Sequence, residues 1–425
     1  MKKVLVGRLK NGLMYYSQRD TASHVSGVGV RCGSMHDVTS KIIARGIAHL
    51  TEHNLCRVSS DYTSREMELF IEKYLGGLDG AINVRTDRYS TFYGHDTLLR
   101  RTHMLKAFDA LASCVRDAII EPEGLKTEKA AVHQEYHAFG KDVAFQEIDD
   151  LIHLVTYNRN PARNRIDCVP DDIKKLSLRR MKQFMRQYYS PNNMFVVILG
   201  PEKGKVHDMA AKYFGHMEAR KIPPFRYGIS ESFPQLRNIR SIEIERPGIK
   251  QYHLSVGFPI QPFGHKDNDA VDILSQLLAF RLRWRLREGN TDFNKGVYRA
   301  PVFISRSFAH GIMHTWCAST SREFIKEAED VILEECDKLR TSLVATDEFD
   351  AIWHQRYFRY LNAFLNTPGV LAELIIDHTC NGDQELEGLN SFRESYKKIT
   401  RHKILSVANK CLDTKNYARA LIKPV

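Results

Sequence analysis

His49-Leu50-Thr51-Glu52-His53 is the stretch of this chain that decides how the rest is interpreted. It places two imidazoles four positions apart, with a carboxylate directly before the second. On a helix, positions 49, 52 and 53 share one face, so both histidines can reach one metal ion while Glu52 stands beside it. An isolated histidine is usually a satisfied core residue, whereas this ordered set favours a metal centre.

Composition allows an ordinary globular protein. With 425 residues, 43% of them hydrophobic and 27% charged, the chain is expected to fold as packed domains. No run approaches the roughly 20 apolar residues that cross a bilayer, and the first eight residues reach charge too soon for a signal peptide. The eight cysteines contain no Cys-x-x-Cys pair, which favours reduced thiols. We therefore expect a cytoplasmic protein with no membrane partner.

The formal net charge of +11 raises the question of a nucleic-acid partner. Its basic residues are scattered, however, and the densest cluster, Arg281, Arg283, Arg285 and Arg287, falls in a predicted helix. A solvated helical face explains that cluster better than a phosphate-binding surface. No nucleic-acid partner is expected, and a basic nucleic-acid-binding protein is the weakest of the alternatives.

Two histidines leave a zinc centre incomplete, because a catalytic zinc ion takes three protein ligands and keeps one position open. A predicted helix downstream offers Glu128 and Glu135, which lie two helical turns apart on nearly the same face. The same helix carries a rival pair, His133 and His137, without an ordered carboxylate. With one of the glutamates as third ligand, Glu52 is free to act as general base on the attacking water.

At this point the first half of the chain resembles the pitrilysin and insulinase family of zinc peptidases, whose motif has the inverted order His-x-x-Glu-His. The resemblance extends especially to the half-length branch of this family, and within it to the beta subunit of mitochondrial processing peptidase. The matching residues are Gly33-Ser34, Gly46 to His53, Gly76-Gly77, Asn83 with Thr86, Thr91-Phe92-Tyr93, and Glu128-x-x-x-Val132-x-x-Glu135. The resemblance implies an α+β fold of two homologous αβ domains, each with an antiparallel or mixed sheet covered by helices.

The resemblance also implies roles for the acidic residues. Glu52 corresponds to the catalytic base, Glu135 to the third zinc ligand, and Glu128 to a carboxylate that supports the catalytic site. Glu135 lies further beyond His53 than is usual in the family, and Glu128 fits the usual spacing better. Glu128 therefore remains the alternative ligand. Manganese or cobalt remain alternatives to zinc, because availability and geometry decide which metal such a site takes.

The predicted domain organisation has three parts. Residues 1–220 form a catalytic, zinc-binding αβ domain, residues 221–240 a linker, and residues 241–425 an αβ pseudo-repeat without the metal motif. In the repeat, Arg287 and Tyr298 resemble a family pair that binds substrate, although an exposed arginine and a strand tyrosine explain them equally well. Asn83 is expected on a strand edge that pairs with an extended peptide.

These observations predict a zinc-dependent metalloendopeptidase that hydrolyses peptides or unfolded polypeptide segments. The alternative is a scaffold or assembly subunit that keeps the peptidase fold without hydrolysis. Decay of the motif would favour the scaffold, and here the motif is intact. Half-length members of the family pair to enclose their substrate, so the resemblance implies a homodimer.

Overall fold

Two sheets covered by helices form the frame of the chain, which confirms the predicted α+β class. The computed structural model describes residues 3–19, 24–37, 45–55, 57–75, 82–97, 101–138, 143–157, 161–166, 169–200, 205–223, 236–288, 297, 300–306 and 311–425. The strands are β1 Leu5–Arg8, β2 Met14–Arg19, β3 His24–Val30, β4 Ile82–Thr86, β5 Thr91–Thr97, β6 Met194–Gly200, β7 Arg240–Arg246, β8 Tyr252–Ile260, β9 Val302–Arg306, β10 Gly311–Thr315, β11 Cys317–Ser319 and β12 Ala418–Pro424.

The helices lie mostly between these strands. They are α1 Ile47–Leu55, α2 Ser64–Leu75, α3 Arg101–Arg116, α4 Pro122–Ala138, α5 Val143–Thr156, α6 Pro170–Lys175, α7 Leu178–Tyr188, α8 Val206–Phe214, α9 Asn268–Arg283, α10 Arg322–Thr341, α11 Thr346–Leu365, α12 Pro368–Cys380, α13 Glu387–Asn390, α14 Phe392–Lys397 and α15 Arg401–Cys411. None of the helices in the described ranges is long and apolar enough to cross a membrane.

The two sheets share one topology. In the first sheet the order is β1-β2-β6-β3-β5-β4, and in the second it is β7-β12-β8-β10-β9, with β11 also paired to β8. In each, an early strand pairs parallel with the last strand (β2 with β6, β7 with β12), and that last strand pairs antiparallel with the next strand in the order. The predicted repeat of one αβ architecture is therefore confirmed.

Contacts between elements divide the chain into two units that are discontinuous in sequence. The first unit comprises Met1–Tyr136, Asn164–Arg226 and Tyr360–Asn390, and the second comprises His137–Arg163, Tyr227–Arg359 and Ser391–Val425. These units differ from the contiguous domains expected at 1–220 and 241–425, because two helices are exchanged. Helix α5 packs on β8 and β12, whereas α12 packs on β3 and β6.

The exchange of α5 follows from the residues it buries. Its Ala144, Ile148 and Ile152 side chains are almost fully buried. Ile152 lies directly over Gly257 of β8, where a Cβ atom would meet the Ile152 Cγ1 atom at 2.9 Å. The absence of a side chain at Gly257 thus allows the helix to approach the second sheet closely.

Local sequence explains the other elements. Strand β6 reads Met-Phe-Val-Val-Ile-Leu-Gly and is buried throughout, as expected for a strand inside a sheet covered by helices. Residues 170–188 form two helices, α6 and α7. Ser177 separates them, because its side chain accepts a hydrogen bond from the Arg180 amide and so caps the start of α7.

Candidate metal centre

Helix α1 is fixed at its start by a carboxylate that lies well before it in sequence. Asp37 accepts hydrogen bonds from the amides of Gly46 (2.6 Å) and Ala48 (3.0 Å). It is fully buried, and this burial raises the pKa of its carboxyl well above the usual range although the two amides oppose the shift. Gly46 has φ +77°, a conformation that favours glycine. Asp37 thus sets the position of the first turn of α1.

One face of α1 is anchored in the core of the first unit. Ile47, Ala48, Leu50 and Leu55 have no exposed surface and belong to one hydrophobic cluster with side chains of the sheet and of α3. This anchoring leaves the three chemically active residues of the motif on the other faces of the helix. The helical prediction for residues 49 to 53 is confirmed.

Three potential ligand atoms converge at this helix. His49 Nε2 lies 3.2 Å from His53 Nε2, and Glu135 Oε2 of α4 lies 3.3 Å from His53 Nε2 and 3.7 Å from His49 Nε2. Ligands of a tetrahedral zinc ion, bound at about 2.0–2.2 Å, are separated by about 3.3–3.6 Å. Glu135 Oε2 is buried and has no hydrogen-bond partner among the described residues. The donor set therefore fits a zinc ion.

Glu128 lies on the opposite side of the His53 ring. Its Oε2 atom is 3.3 Å from His53 Nδ1, while its Oε1 atom is in close contact with Arg57 Nη1. A carboxylate on Nδ1 orients the imidazole so that Nε2 faces the metal position. The structure therefore places Glu135 in the donor set and Glu128 behind His53. Arg57 did not emerge from the sequence, where nothing distinguishes it from other basic residues.

The carboxylates around His53 favour a positive charge on or next to its imidazole ring. Burial lowers the pKa of His53, but the carboxylates of Glu128 and Glu135 outweigh it and raise the pKa of His53 to about 10. The nearby His53 imidazole lowers the pKa of Glu135. Burial raises the pKa of Glu128, yet hydrogen bonds from His53 and Arg57 bring it below its usual value. Two carboxylates are thus held ionised around a position that attracts a proton or a metal cation.

Glu52 is held by the neighbouring sheet. Thr86, the last residue of β4, donates a hydrogen bond from Oγ1 to Glu52 Oε2 at 2.8 Å. The hydroxyl of Thr91 on the paired strand β5 lies 3.5 Å from that of Thr86 and donates to the Cys32 carbonyl. One carboxylate oxygen of Glu52 is therefore oriented by β4, and this role of Thr86 was not predicted.

The other predicted site residues are not members of this donor set, and some lie wholly or partly outside the described structure. Asn83 lies on β4, the end strand of the first sheet among the described strands, and its side chain is outside the described residues. Arg287 belongs to the second unit, where it is exposed in the π-helical turn Trp284–Glu288. Tyr298 lies outside the described residues. His133 is half-buried and belongs to no metal-ligand group found in the described part of the chain.

Two histidines and a glutamate that converge beside a second glutamate define the metal-dependent hydrolase class of site. Residues 14–169 match the model of the insulinase family (peptidase family M16), and residues 175–356 match that of the peptidase M16 inactive domain. The chain belongs to this peptidase family, as the motif predicted. Its second half corresponds to the domain described as inactive, consistent with the lack of the motif there.

Relatives and solved structures agree with this assignment. The chain is 22% identical to an uncharacterized zinc protease, YmxG, of Bacillus subtilis over 94% of this chain and 92% of that protein. It is 21% identical to the zinc protease PqqE of Helicobacter pylori over 98% and 92%. A protease structure from Helicobacter pylori matches with a TM-score of 0.86 at 20% identity, covering 100% of both chains.

A longer protein shares the fold as well. The periplasmic protease PqqL from Escherichia coli matches with a TM-score of 0.75 at 16% identity, over 99% of this chain and 47% of that one. At such identities the structural matches show the fold alone. Since PqqL is described as periplasmic, the cytoplasmic location of this chain stays a prediction.

Proposed function

We propose that this protein is a zinc-dependent metalloendopeptidase that hydrolyses peptides or unfolded polypeptide segments. The observation that carries the proposal is the convergence of His49 Nε2, His53 Nε2 and Glu135 Oε2 next to Glu52. Membership of peptidase family M16 and the zinc protease names of the relatives support it.

In this proposal His49, His53 and Glu135 hold the zinc ion, and Glu128 orients His53. Zinc, when bound, supplies Lewis acidity that polarises the scissile carbonyl and lowers the pKa of the attacking water. His53 must give up its proton for the ion, and its neighbouring carboxylates provide the compensating negative charge.

Glu52 acts as the general base. Thr86 holds Oε2 at 2.8 Å, which orients the carboxylate and leaves its other oxygen to take a proton from the attacking water. Glu52 then returns this proton to the leaving amine. A glutamate oriented in advance by a strand hydroxyl loses little freedom at the moment of reaction.

The end strand β4 offers a way to hold the substrate. An extended peptide that pairs with β4 would gain main-chain hydrogen bonds next to Thr86 and Glu52, with little demand on its sequence. Asn83 would contact such a peptide from the same strand. Arg287 and Tyr298 remain proposed substrate-binding residues of the second unit.

A homodimer also remains part of the proposal. PqqL matches this chain over only 47% of its own length, so a pair of these chains would equal that protein in size. The competing function is a non-catalytic scaffold. The match of residues 175–356 to the inactive M16 domain favours it for the second half, while the intact motif in the first half favours catalysis.

Hydrolysis of a quenched fluorescent peptide mixture by the wild type and by the Glu52→Gln variant tests the proposal. We expect the variant to lose on the order of 10²–10⁴-fold in kcat and to keep its zinc, because Glu52 is a base and not a ligand. Glu123→Gln on α4, 82% exposed, is the matched control and should retain full activity. Equal rates of hydrolysis by wild type and Glu52→Gln would contradict the role of Glu52 as the base, whereas no hydrolysis by zinc-loaded wild type would favour the scaffold.

A further inference from the structure

A second group of potential metal ligands lies in the second unit, whereas the motif belongs to the first. Asp149 and His153 occur four residues apart on α5, and His314 lies on β10, which pairs with β8 and β9 in the second sheet. One ligand atom from each lies within 4.8 Å of those from the other two. Asp149 Oδ1 is 3.1 Å from His314 Nε2, close to the separation of about 3.3–3.6 Å expected between ligands of a tetrahedral zinc ion.

The hydrogen bonds of His314 determine which of its two ring nitrogens carries the hydrogen. The other nitrogen then presents a lone pair to Asp149. Ser255 Oγ donates its proton to the Thr315 carbonyl at 2.6 Å, so toward His314 Nδ1, at 3.2 Å, the same oxygen acts as acceptor. Nδ1 therefore carries the hydrogen, and Nε2 of the neutral ring points a lone pair at the Asp149 carboxylate. Two acceptors 3.1 Å apart repel unless a proton or a cation lies between them.

His153 is oriented in a similar way. Its Nδ1 atom donates to the Asp149 carbonyl oxygen at 2.8 Å, one turn earlier on the same helix, so Nε2 is the nitrogen of His153 left to bind a metal. The ring of His153 lies 5.7 Å from the ring of His314, nearly perpendicular to it. His153 thus has a backbone carbonyl on one ring nitrogen, and His314 has a hydroxyl on one of its own. Such partners commonly orient the histidine ligands of metals.

We infer that Asp149, His153 and His314 form a second site for a divalent transition metal, with zinc as the best match to two imidazoles and one carboxylate. The site is closed, because the His153 and His314 side chains are 0% and 2% exposed. Only the Asp149 side chain, 26% exposed, reaches the surface. A bound ion would join α5 to β10, and we expect it to serve structure because the two covered histidines leave a substrate little access to it.

The test is a metal count on the full chain after the ligands of the first centre have been removed. A His49→Ala/His53→Ala double variant is loaded with Zn²⁺, dialysed and analysed by mass spectrometry of the metal, and a parallel sample is loaded with Co²⁺ for visible absorption. We expect about two equivalents of zinc in the wild type and one in the double variant. Adding Asp149→Asn to the double variant should remove that last equivalent and the Co²⁺ absorption.

Asp350→Asn in the same double variant is the matched control. Asp350 and His354 have the same four-residue spacing on α11, and His354 Nδ1 lies 2.7 Å from the Asp350 carbonyl, but both residues are exposed. They belong to no metal-ligand group in the described part of the chain, so this variant should keep one equivalent. A folded double variant that binds neither Zn²⁺ nor Co²⁺ would overturn the inference without any change at Asp149. An equivalent that survives Asp149→Asn would overturn it as well.

Discussion

The centre on α1 and the cluster on α5 contain the same kinds of ligand in opposite surroundings. Each combines two histidines and one carboxylate, two of them four residues apart on a helix and the third from another element. In the first centre the His53 and Glu135 side chains are 23% and 35% exposed. In the second, both histidines are covered. The same local spacing therefore occurs in a partly exposed group, the open centre (His49, His53 and Glu135), and in a covered group, the closed site (Asp149, His153 and His314). The packing around each group decides its exposure.

The two sheets show where this difference originates. Helix α1 follows β3 and helix α9 follows β8, which are corresponding strands of the two sheets. The sequence of α9 contains no histidine, and its buried face is mostly apolar. The second cluster instead takes two of its residues from α5, the exchanged helix. The two sheets thus have similar topologies, but the potential metal ligands lie on helices that occupy different places in them.

The largest effect is expected from removing the third ligand of the open centre. We expect Glu135→Gln to weaken zinc binding there on the order of 100-fold or more, while Glu128→Gln costs about 10–100-fold, as is typical of residues that only orient a ligand. Competition with a chelator measures both affinities, and the closed site should keep its own equivalent in both variants. A larger loss in Glu128→Gln than in Glu135→Gln would restore Glu128 as the ligand.

The second effect is the pH dependence of zinc binding at the open centre. The pKa of His53 is raised from 6.5 to about 10, so the metal-free protein holds a proton there at pH 7 to 9, and zinc must displace it. Zinc affinity should therefore rise about tenfold per pH unit over that range. Without metal, the stabilisation from protonated His53 is complete below pH 6.5 and is lost as the pH rises through about 10.

Chelator competition at pH 7, 8 and 9 measures the slope, and thermal unfolding of the metal-free protein measures the loss of stability. Glu128→Gln is the matched comparison, because removal of one carboxylate should lower the pKa of His53 and flatten the slope. A pH-independent affinity in the wild type would show that His53 carries no proton to displace.

Arg57 should have a smaller effect on the same centre. It contacts Glu128 Oε1, so Arg57→Gln frees the carboxylate that orients His53, and we expect zinc affinity to fall about tenfold. Arg57→Lys should recover part of the loss, because a lysine keeps the charge without the planar fork. Lys126→Gln, 80% exposed on the same helix as Glu128, is the control. An unchanged affinity in Arg57→Gln would limit Arg57 to a surface role.

Sequence alone predicted the parts of the open centre that depend on local spacing. His49, Glu52 and His53 are adjacent on one helix, so the pattern of five residues was sufficient to group them. The approach of Glu135 came from resemblance to a family, and the sequence left Glu128 as an alternative. Only the folded chain shows that these two glutamates lie on opposite sides of His53.

The residues that sequence missed act across the fold. Asp37 caps α1 from the segment before it, Arg57 reaches Glu128 on α4, and Thr86 reaches Glu52 from β4. None of these pairs has a fixed spacing that a pattern could detect. The sequence also led us to expect contiguous domains, because the exchange of α5 and α12 depends on contacts between segments that are distant in sequence. The closed cluster likewise needs His314, which is brought to α5 only by the sheet.

The smallest effect is expected at the hydroxyl that orients Glu52. Thr86→Val keeps the shape of the side chain but removes its hydrogen bond to Glu52, worth about 1 kcal/mol, so kcat should fall about fivefold with zinc content and KM unchanged. Thr341→Val is the control, because Thr341 is exposed and its hydroxyl donates to the Asp337 carbonyl of its own helix α10. A change in KM alone would mean that Thr86 acts on the peptide. Ser255 likewise orients His314 of the closed site from a strand, so both centres would depend on a strand hydroxyl. Removal of the hydroxyl would slow a reaction only at the open centre.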